Sequence, residues 1–476
     1  MKKFMTVLCL GLVVPMLSAQ VTNEVEQLKQ QMQQMQENFD RVQREQKAQL
    51  ETLARKLDEL TRAQIVQKEQ KQLEPAPAES APAKGWSPTD PIGIGKGGTY
   101  MNVSFDALVA AGGSTANDIG SLQLGGHDPK QRGFTIQNLE TVFDGAVDPY
   151  FRGQANIVLQ INPAGATTVE AEEAYLETMS LPLNLQVKAG QFFTEFGRLN
   201  PQHPHSWGFV DQPLVNARFF GEDGLRNPGV RLAWLTPTPF YSELFFTVQN
   251  SQGGTAHSFR NDNGGETLFG RPVTEGSVKS AGDMLYCARY AAAFDLTDNQ
   301  TLLAGASAAF GPNGSGANTD TQIYGVDAYW KWKPANAHGG FPFVSWQTEA
   351  LLRRYTAGAF AGDATASPPL PALPRETLVD WGMYSQFAWG FRPGWVMGLR
   401  GDYVAPTKMA AYETILGTDP NRAERWRLSP NLTWYPSEFS KLRLQYNYDD
   451  RDGIGVDHSV WLQFEFLLGA HAAHKF

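Results

Sequence analysis

Residues Ser459 to Gly469 read SVWLQFEFLLG, and their polarity alternates with a period of two. Val460, Leu462, Phe464, Phe466 and Leu468 fall on one face, and Trp461, Gln463 and Glu465 on the other. In an extended chain successive side chains point to opposite faces. This segment is therefore a strand with one apolar face and one face that carries a charge and an amide. Such a strand suits a wall with lipid on one side and water on the other. Strands cross a bilayer only in a closed barrel, because an open sheet leaves backbone groups unpaired in hydrocarbon. The same pattern recurs along the chain.

Composition bounds the alternatives. Mean hydropathy is −0.34, and beyond the N-terminus no segment holds the ~18 consecutive apolar residues of a membrane helix. A barrel is not detected by that test, since lumen-facing residues dilute each strand. The 476 residues carry a net charge of −9, which argues against a nucleic-acid partner. Lys2 and Lys3 precede an apolar run from Phe4 to Leu17, and Ser18-Ala19 offers a cleavage site, so residues 1–19 read as a signal peptide. Cys9 would leave with that peptide. Cys287 remains alone, with no intrachain disulfide, and reads as a packed residue of a strand.

Residues 20–73 predict a helix with a coiled-coil seam. Val21, Val25, Leu28, Met32, Met35, Phe39 and Val42 alternate spacings of four and three, and Leu50, Leu53, Leu57 and Leu60 continue the seam after a stutter. Residues 74–96, with EPAPAESAPAK at their start, read as a Pro/Ala-rich spacer. Residues 97–476 carry the barrel pattern.

Sixteen strand-like segments are predicted there, at 97–110, 132–146, 150–162, 168–180, 182–194, 227–236, 239–250, 283–295, 299–311, 321–333, 342–356, 377–391, 393–405, 422–436, 439–449 and 457–469. Short turns such as Val147-Asp148-Pro149 and Arg392-Pro393 alternate with longer stretches such as 195–226 and 251–282. Short turns on one rim and long loops on the other are the plan of outer-membrane barrels. The expected fold is thus all-β, a transmembrane antiparallel barrel of about sixteen strands preceded by the helical coiled coil. Outward aromatics such as Trp426 and Trp434, or Trp381 and Trp389, would form girdles at the headgroups.

Placing the apolar face toward lipid puts Lys188, Arg289, Lys331, Arg353, Arg400, Asp402, Arg425, Arg427 and Arg443 in the lumen. Arg400, Arg425, Arg427 and Arg443 come from three consecutive strands. They would form a patch able to bind phosphate or carboxylate oxygens, unless they pair with Asp380, Asp402 and Glu349 and stiffen the wall. The loop from Glu195 to Arg226 is too apolar for a free exterior loop and is expected to fold inward and narrow the pore. Arg198, Arg218, Glu222, Asp223 and Arg226 would be its charged edge. His203-Pro204-His205 and the His471/His474 pair have no carboxylate or cysteine partner at close spacing, so both read as structural histidines and no metal is expected. Glu170, Glu172, Glu173 and Glu177 read as a solvated rim. No nucleophile or phosphate-loop motif appears, so the chain reads as no enzyme and without a cofactor.

Five features carry a resemblance: the sixteen-strand count, the turn Val147-Asp148-Pro149-Tyr150-Phe151, the strand Glu173-Ala174-Tyr175-Leu176, the segment Lys188-Ala189-Gly190-Gln191-Phe192, and the terminal Phe476. With them the chain resembles the phosphate-selective (O/P-type) porins of Gram-negative outer membranes, in particular a subgroup with an N-terminal periplasmic coiled coil. The resemblance implies a homotrimeric outer-membrane channel with inward-folded loops lined by basic residues. This chain lacks a dense Lys/Arg ladder in its loop, so the expectation is a passive channel for small hydrophilic solutes, anionic or neutral. Its other partners would be outer-membrane lipid and further copies of itself, through barrel and coiled coil. Two alternatives stand beside it: an envelope tether with a plugged barrel, and a TonB-dependent receptor, which would need ~22 strands and a plug domain.

Overall fold

The computed structural model describes residues 92–96, 99–162, 164–260, 267–274 and 276–469. The segments expected to be a signal peptide and a coiled coil, nearly all of the expected spacer, His471, His474 and Phe476 lie outside the described residues.

Sixteen antiparallel strands form one closed wall. They are β1 (Thr99–Ser114), β2 (Gly133–Ala146), β3 (Phe151–Ile161), β4 (Thr167–Thr178), β5 (Leu185–Phe193), β6 (Arg226–Leu235), β7 (Tyr241–Asn250), β8 (Met284–Thr297), β9 (Gln300–Pro312), β10 (Asp320–Trp332), β11 (Phe343–Ala357), β12 (Glu376–Arg392), β13 (Trp395–Pro406), β14 (Arg425–Ser437), β15 (Ser440–Arg451) and β16 (Gly455–Leu468). Each strand pairs with its neighbour in sequence, and β16 returns to β1 with Leu468 opposite Phe105 and Ser459 opposite Ser114. Closure leaves the sheet without a free edge. A short lead-in strand, Ile92–Lys96, pairs with Thr99–Val103 of β1, beyond the end of β16.

Burial follows the two-residue period. In β16 Val460, Leu462, Phe464 and Phe466 are exposed outward, while Trp461, Gln463 and Glu465 are buried inside. In β14 Trp426, Leu428, Leu432 and Trp434 face out, while Arg425, Arg427, Ser429, Asn431 and Thr433 face in. Trp426 and Trp434 lie ~27 Å apart along the strand at about 3.4 Å per residue. Once the strand tilts, that separation suits an apolar band of roughly 25 Å. Trp395 stacks on Trp434 near one rim and Trp426 on Tyr448 near the other.

Of the register shifts along the wall, those on β4 and β2 aim polar side chains inward. On β4 the register with β3 shifts between Asn156 and Ile157, which leaves Glu172 as an extra residue between Ala171 and Glu173. Glu172 and Glu173, adjacent in sequence, are therefore both buried on the inner side. On β2 the register with β1 shifts at Leu108/Val109, and Gln137 and Asn138 are both buried. The expected solvated rim at Glu172, Glu173 and Glu177 is thus corrected: all three are buried, and Glu170 alone of the four keeps substantial exposure.

Candidate functional site in the barrel interior

The segment between β5 and β6, residues 194–225, lies inside the barrel. Its neck is tied by the Thr194 N–H donating to the Leu225 carbonyl (2.9 Å), and by Asn200 bonding the Thr194 carbonyl and both backbone groups of Leu225. Between these ties the chain is too apolar to sit in water. Phe196, Leu199, Leu214, Val215, Phe219 and Phe220 pack against inward Leu285, Cys287, Ile323, Leu351, Tyr384 and Val404 of β8 and β10–β13. A helix, Leu214–Phe220, starts after Pro213 and stops at Gly221, whose φ of 91° suits a residue without Cβ. Cys287 is a buried free thiol within this cluster.

Polar contacts fix the rest of the loop on several sides of the wall. The Glu349 carboxylate of β11 accepts from the Leu199 N–H (2.7 Å), the Arg198 N–H (3.2 Å) and the Tyr384 hydroxyl (2.7 Å). The Asp211 carboxylate accepts from Arg400 (2.6 Å), Arg427 (2.9 Å), Gln445 (3.0 Å) and Asn447 (2.6 Å). Burial pushes the Asp211 carboxyl up, but Arg400 and Arg427 outweigh it and hold its pKa down at about 2. Gln445 also accepts from the Val210 N–H, and Asn431 donates to the Gly208 carbonyl.

The basic residues expected to form an anion patch are inside the barrel but committed to partners. Arg400 pairs with Asp402 (2.7 Å) and Asp211, Arg425 with Asp449 (2.6 Å), and Arg427 with Asp449 and Asp211. Arg425 and Arg427 also donate to the Leu122 carbonyl. Arg289 grips Asp327 with two bonds (2.6 and 3.0 Å), and Arg353 bonds Asp380 (2.9 Å) and packs over Phe219. Lys188 sits 4.0 Å from the centre of the Tyr175 ring. Arg443 donates to the neutral side chains of Thr433 and Gln463, both at 3.0 Å.

The five charged loop residues do not make one edge. Arg226 opens β6, is fully buried, and pairs with Glu170 and Glu172. Arg218 is buried in the helix and donates to the carbonyls of Arg422 and Ala423. Glu222 meets Lys130 near the surface, and Asp223 lies 4.0 Å from His127. Arg198 stands apart, over the Tyr329 ring at 4.0 Å, with its Nε bonding Gln347 at 3.1 Å.

Arg198, Lys331 and Arg443 share a cavity of about 510 Å³ on the short-turn side of the loop, which His205 also lines. Its other walls include Gln202, Gln347, Gln386, Asn431 and the aromatic rings of Phe209, Tyr329 and Phe343. No Asp or Glu lines it. A cavity with cations and no carboxylate has a positive potential, and low-dielectric walls sharpen it.

On the other flank the two loop histidines meet acidic residues of β1, β2 and β4. His203 Nδ1 lies 2.7 Å from Glu172 and 3.4 Å from Glu140, and His203 Nε2 lies 2.9 Å from Glu173. His205 Nδ1 lies 3.3 Å from Glu140 and 3.6 Å from Asp106. Burial alone would push the His203 imidazole down, but Glu140 and Glu172 outweigh it and hold its pKa well above the ordinary histidine value. The histidines are therefore not incidental. Their carboxylate partners lie on strands distant in sequence, which no local spacing reveals.

No protein-family model matches the chain. Among solved structures it is similar to the outer membrane channel DcaP of Acinetobacter baumannii, with a TM-score of 0.51 and 14% identity over 78% of this chain and 98% of that one. It is also similar to the anion-selective porin from Comamonas acidovorans, with a TM-score of 0.48 and 7% identity over 78% and 100%. The first likeness is one of fold: a closed antiparallel barrel of the outer-membrane porin type. In sequence, an uncharacterized protein of Aquifex aeolicus (strain VF5) is 33% identical over 377 residues, which cover 74% of this chain and 73% of that protein. At that identity and coverage, the chain belongs to the same family of proteins as this Aquifex aeolicus relative.

Proposed function

We propose that the protein is an outer-membrane porin, a passive channel for small hydrophilic solutes that favours anions. The observation that carries the anion preference is the cavity below the inward loop, lined by Arg198, Lys331 and Arg443 without a carboxylate. The buried Arg400, Arg425 and Arg427 do not carry it, because Asp211, Asp402 and Asp449 neutralise them. The apolar outer band and sixteen-strand closure support a seat in the outer membrane. With an even strand number both barrel ends lie on the short-turn side, which would face the periplasm, where residues 20–73 would form the coiled coil. Homotrimers, and kinship to the phosphate-selective porins, belong to the same reading. No catalytic role is included.

One observation favours a second reading. The inward loop is held by buried polar contacts to β1, β2, β4, β11 and β13–β15, as a plug would be. A plugged barrel would serve as an anchor for the envelope rather than as a passage. Single-channel recording of the folded protein in planar bilayers separates the two. Steady conductance supports the porin; a correctly folded barrel without conductance overturns it in favour of the anchor.

A further inference from the structure

Glu140 is fully buried on β2, and each of its carboxylate oxygens faces a different histidine of the inward loop. Oε1 lies 3.4 Å from His203 Nδ1, and Oε2 lies 3.3 Å from His205 Nδ1. Glu172 completes the first set and Asp106 the second, each set with its ligand atoms within 4.8 Å of one another. Bonds of about 2.0–2.2 Å to a divalent transition metal place neighbouring ligands roughly 3.0–3.5 Å apart. The observed separations, 2.7 to 3.6 Å, span that range.

A second observation points to a ligand: Asp106 Oδ1 is buried without a hydrogen-bond partner. His203 Nδ1 and Glu172 Oε2 meet at 2.7 Å, a separation that fits a hydrogen-bonded ion pair or two ligands of one ion. Glu173 lies 2.9 Å from His203 Nε2 on the opposite side of the ring. With a metal bound, a carboxylate there would accept the Nε2–H hydrogen bond and leave the Nδ1 lone pair to the ion, which is how histidine ligands are oriented in metal sites. Asn156 and Asn138 in turn donate to the two oxygens of Glu140. The bulge that turns both Glu172 and Glu173 inward makes this arrangement possible.

We infer that His203, His205, Glu140, Glu172 and Asp106 form a binding site for one or two divalent transition-metal ions, with Glu140 as the shared ligand. Mixed nitrogen and oxygen donors suit Zn²⁺ and its first-row neighbours better than Ca²⁺ or Mg²⁺. The ligands come from β1, β2, β4 and the loop, so the metal would clamp the loop to the wall. The site stands whether or not the barrel conducts.

The test uses tag-free protein carrying His471→Ala and His474→Ala, stripped with chelator and titrated with Zn²⁺ by calorimetry in detergent. Stoichiometric binding is expected. It should be lost in His203→Ala/His205→Ala and weakened about 10–100-fold in Glu173→Gln, where only the orienting carboxylate changes. Zn²⁺ should also slow protease cleavage within residues 194–225 of the parent and not of the double variant. If the double variant does not fold, zinc-edge X-ray absorption of the loaded parent decides. A first shell with imidazole and carboxylate supports the site, and a shell of water alone overturns it. Equal zinc uptake by the parent and a folded double variant also overturns it and leaves the histidines as protonated partners of the acids.

Discussion

Asp211→Ala should release the inward loop. The Asp211 carboxylate accepts four side-chain bonds, two of them from the guanidiniums of Arg400 and Arg427, and it is almost wholly buried. Removing one partner of a buried ion pair costs roughly 3–5 kcal/mol, chiefly through the charge left behind. Here Arg400 keeps Asp402 and Arg427 keeps Asp449, which places the cost at the lower end, about 3 kcal/mol. That raises the undocked population of the loop roughly 100-fold. The wall keeps its full ladder, so the barrel itself should survive. In bilayer recordings the variant should show frequent excursions to a larger conductance, and trypsin should cut the folded barrel after Arg198 or Arg218 faster than the parent. Conductance and cleavage unchanged from the parent would refute the claim that the Asp211 contacts hold the loop in place.

Other outcomes follow from the same geometry. Asp211 titrates at about 2 in the folded protein against 3.8 ordinarily, so its contribution is complete above pH ~4 and is lost as pH falls through 2; loop excursions should be equally rare at pH 7 and pH 4 and rise only below about pH 3. Trp461→Ala removes a fully buried ring that packs on Ala110, Ile119 and Val210, and should lower the unfolding free energy by about 3–5 kcal/mol in a denaturant titration. Arg289→Ala and Asp327→Ala break one two-bond pair, so a double-mutant cycle should return a coupling of about 1–3 kcal/mol, whereas additive effects would show the pair to be energetically idle.

The barrel was legible in the sequence because lipid and lumen impose opposite chemistry on alternate residues. Val460 to Leu468 and Trp426 to Trp434 show the contrast without any knowledge of their neighbours, and predicted strand ends fall within a few residues of the observed ones throughout. The apolar content of residues 195–226 marked them as a packed segment. What stayed hidden was pairing. Whether Arg425 and Arg427 form a patch or pair with acids stayed open, and their partners, Asp211 for Arg427 and Asp449 for both, come from the loop and from β15 rather than from the acids first considered. The bulge at Glu172 shifts the period by one residue, so an acidic run that looked like a rim became an inner wall facing His203. The cavity around Arg198, Lys331 and Arg443 joins β10, β15 and the loop, and only the closed barrel brings those three together.

The measurement that tests the central claim most directly is the reversal potential in asymmetric KCl of the parent and of Arg198→Ala/Lys331→Ala. The account predicts an anion-favouring potential in the parent that moves toward zero in the variant, while Arg425→Ala, whose charge is already paired, leaves it in place. A cation-favouring parent, or a potential that the double variant does not move, would contradict it.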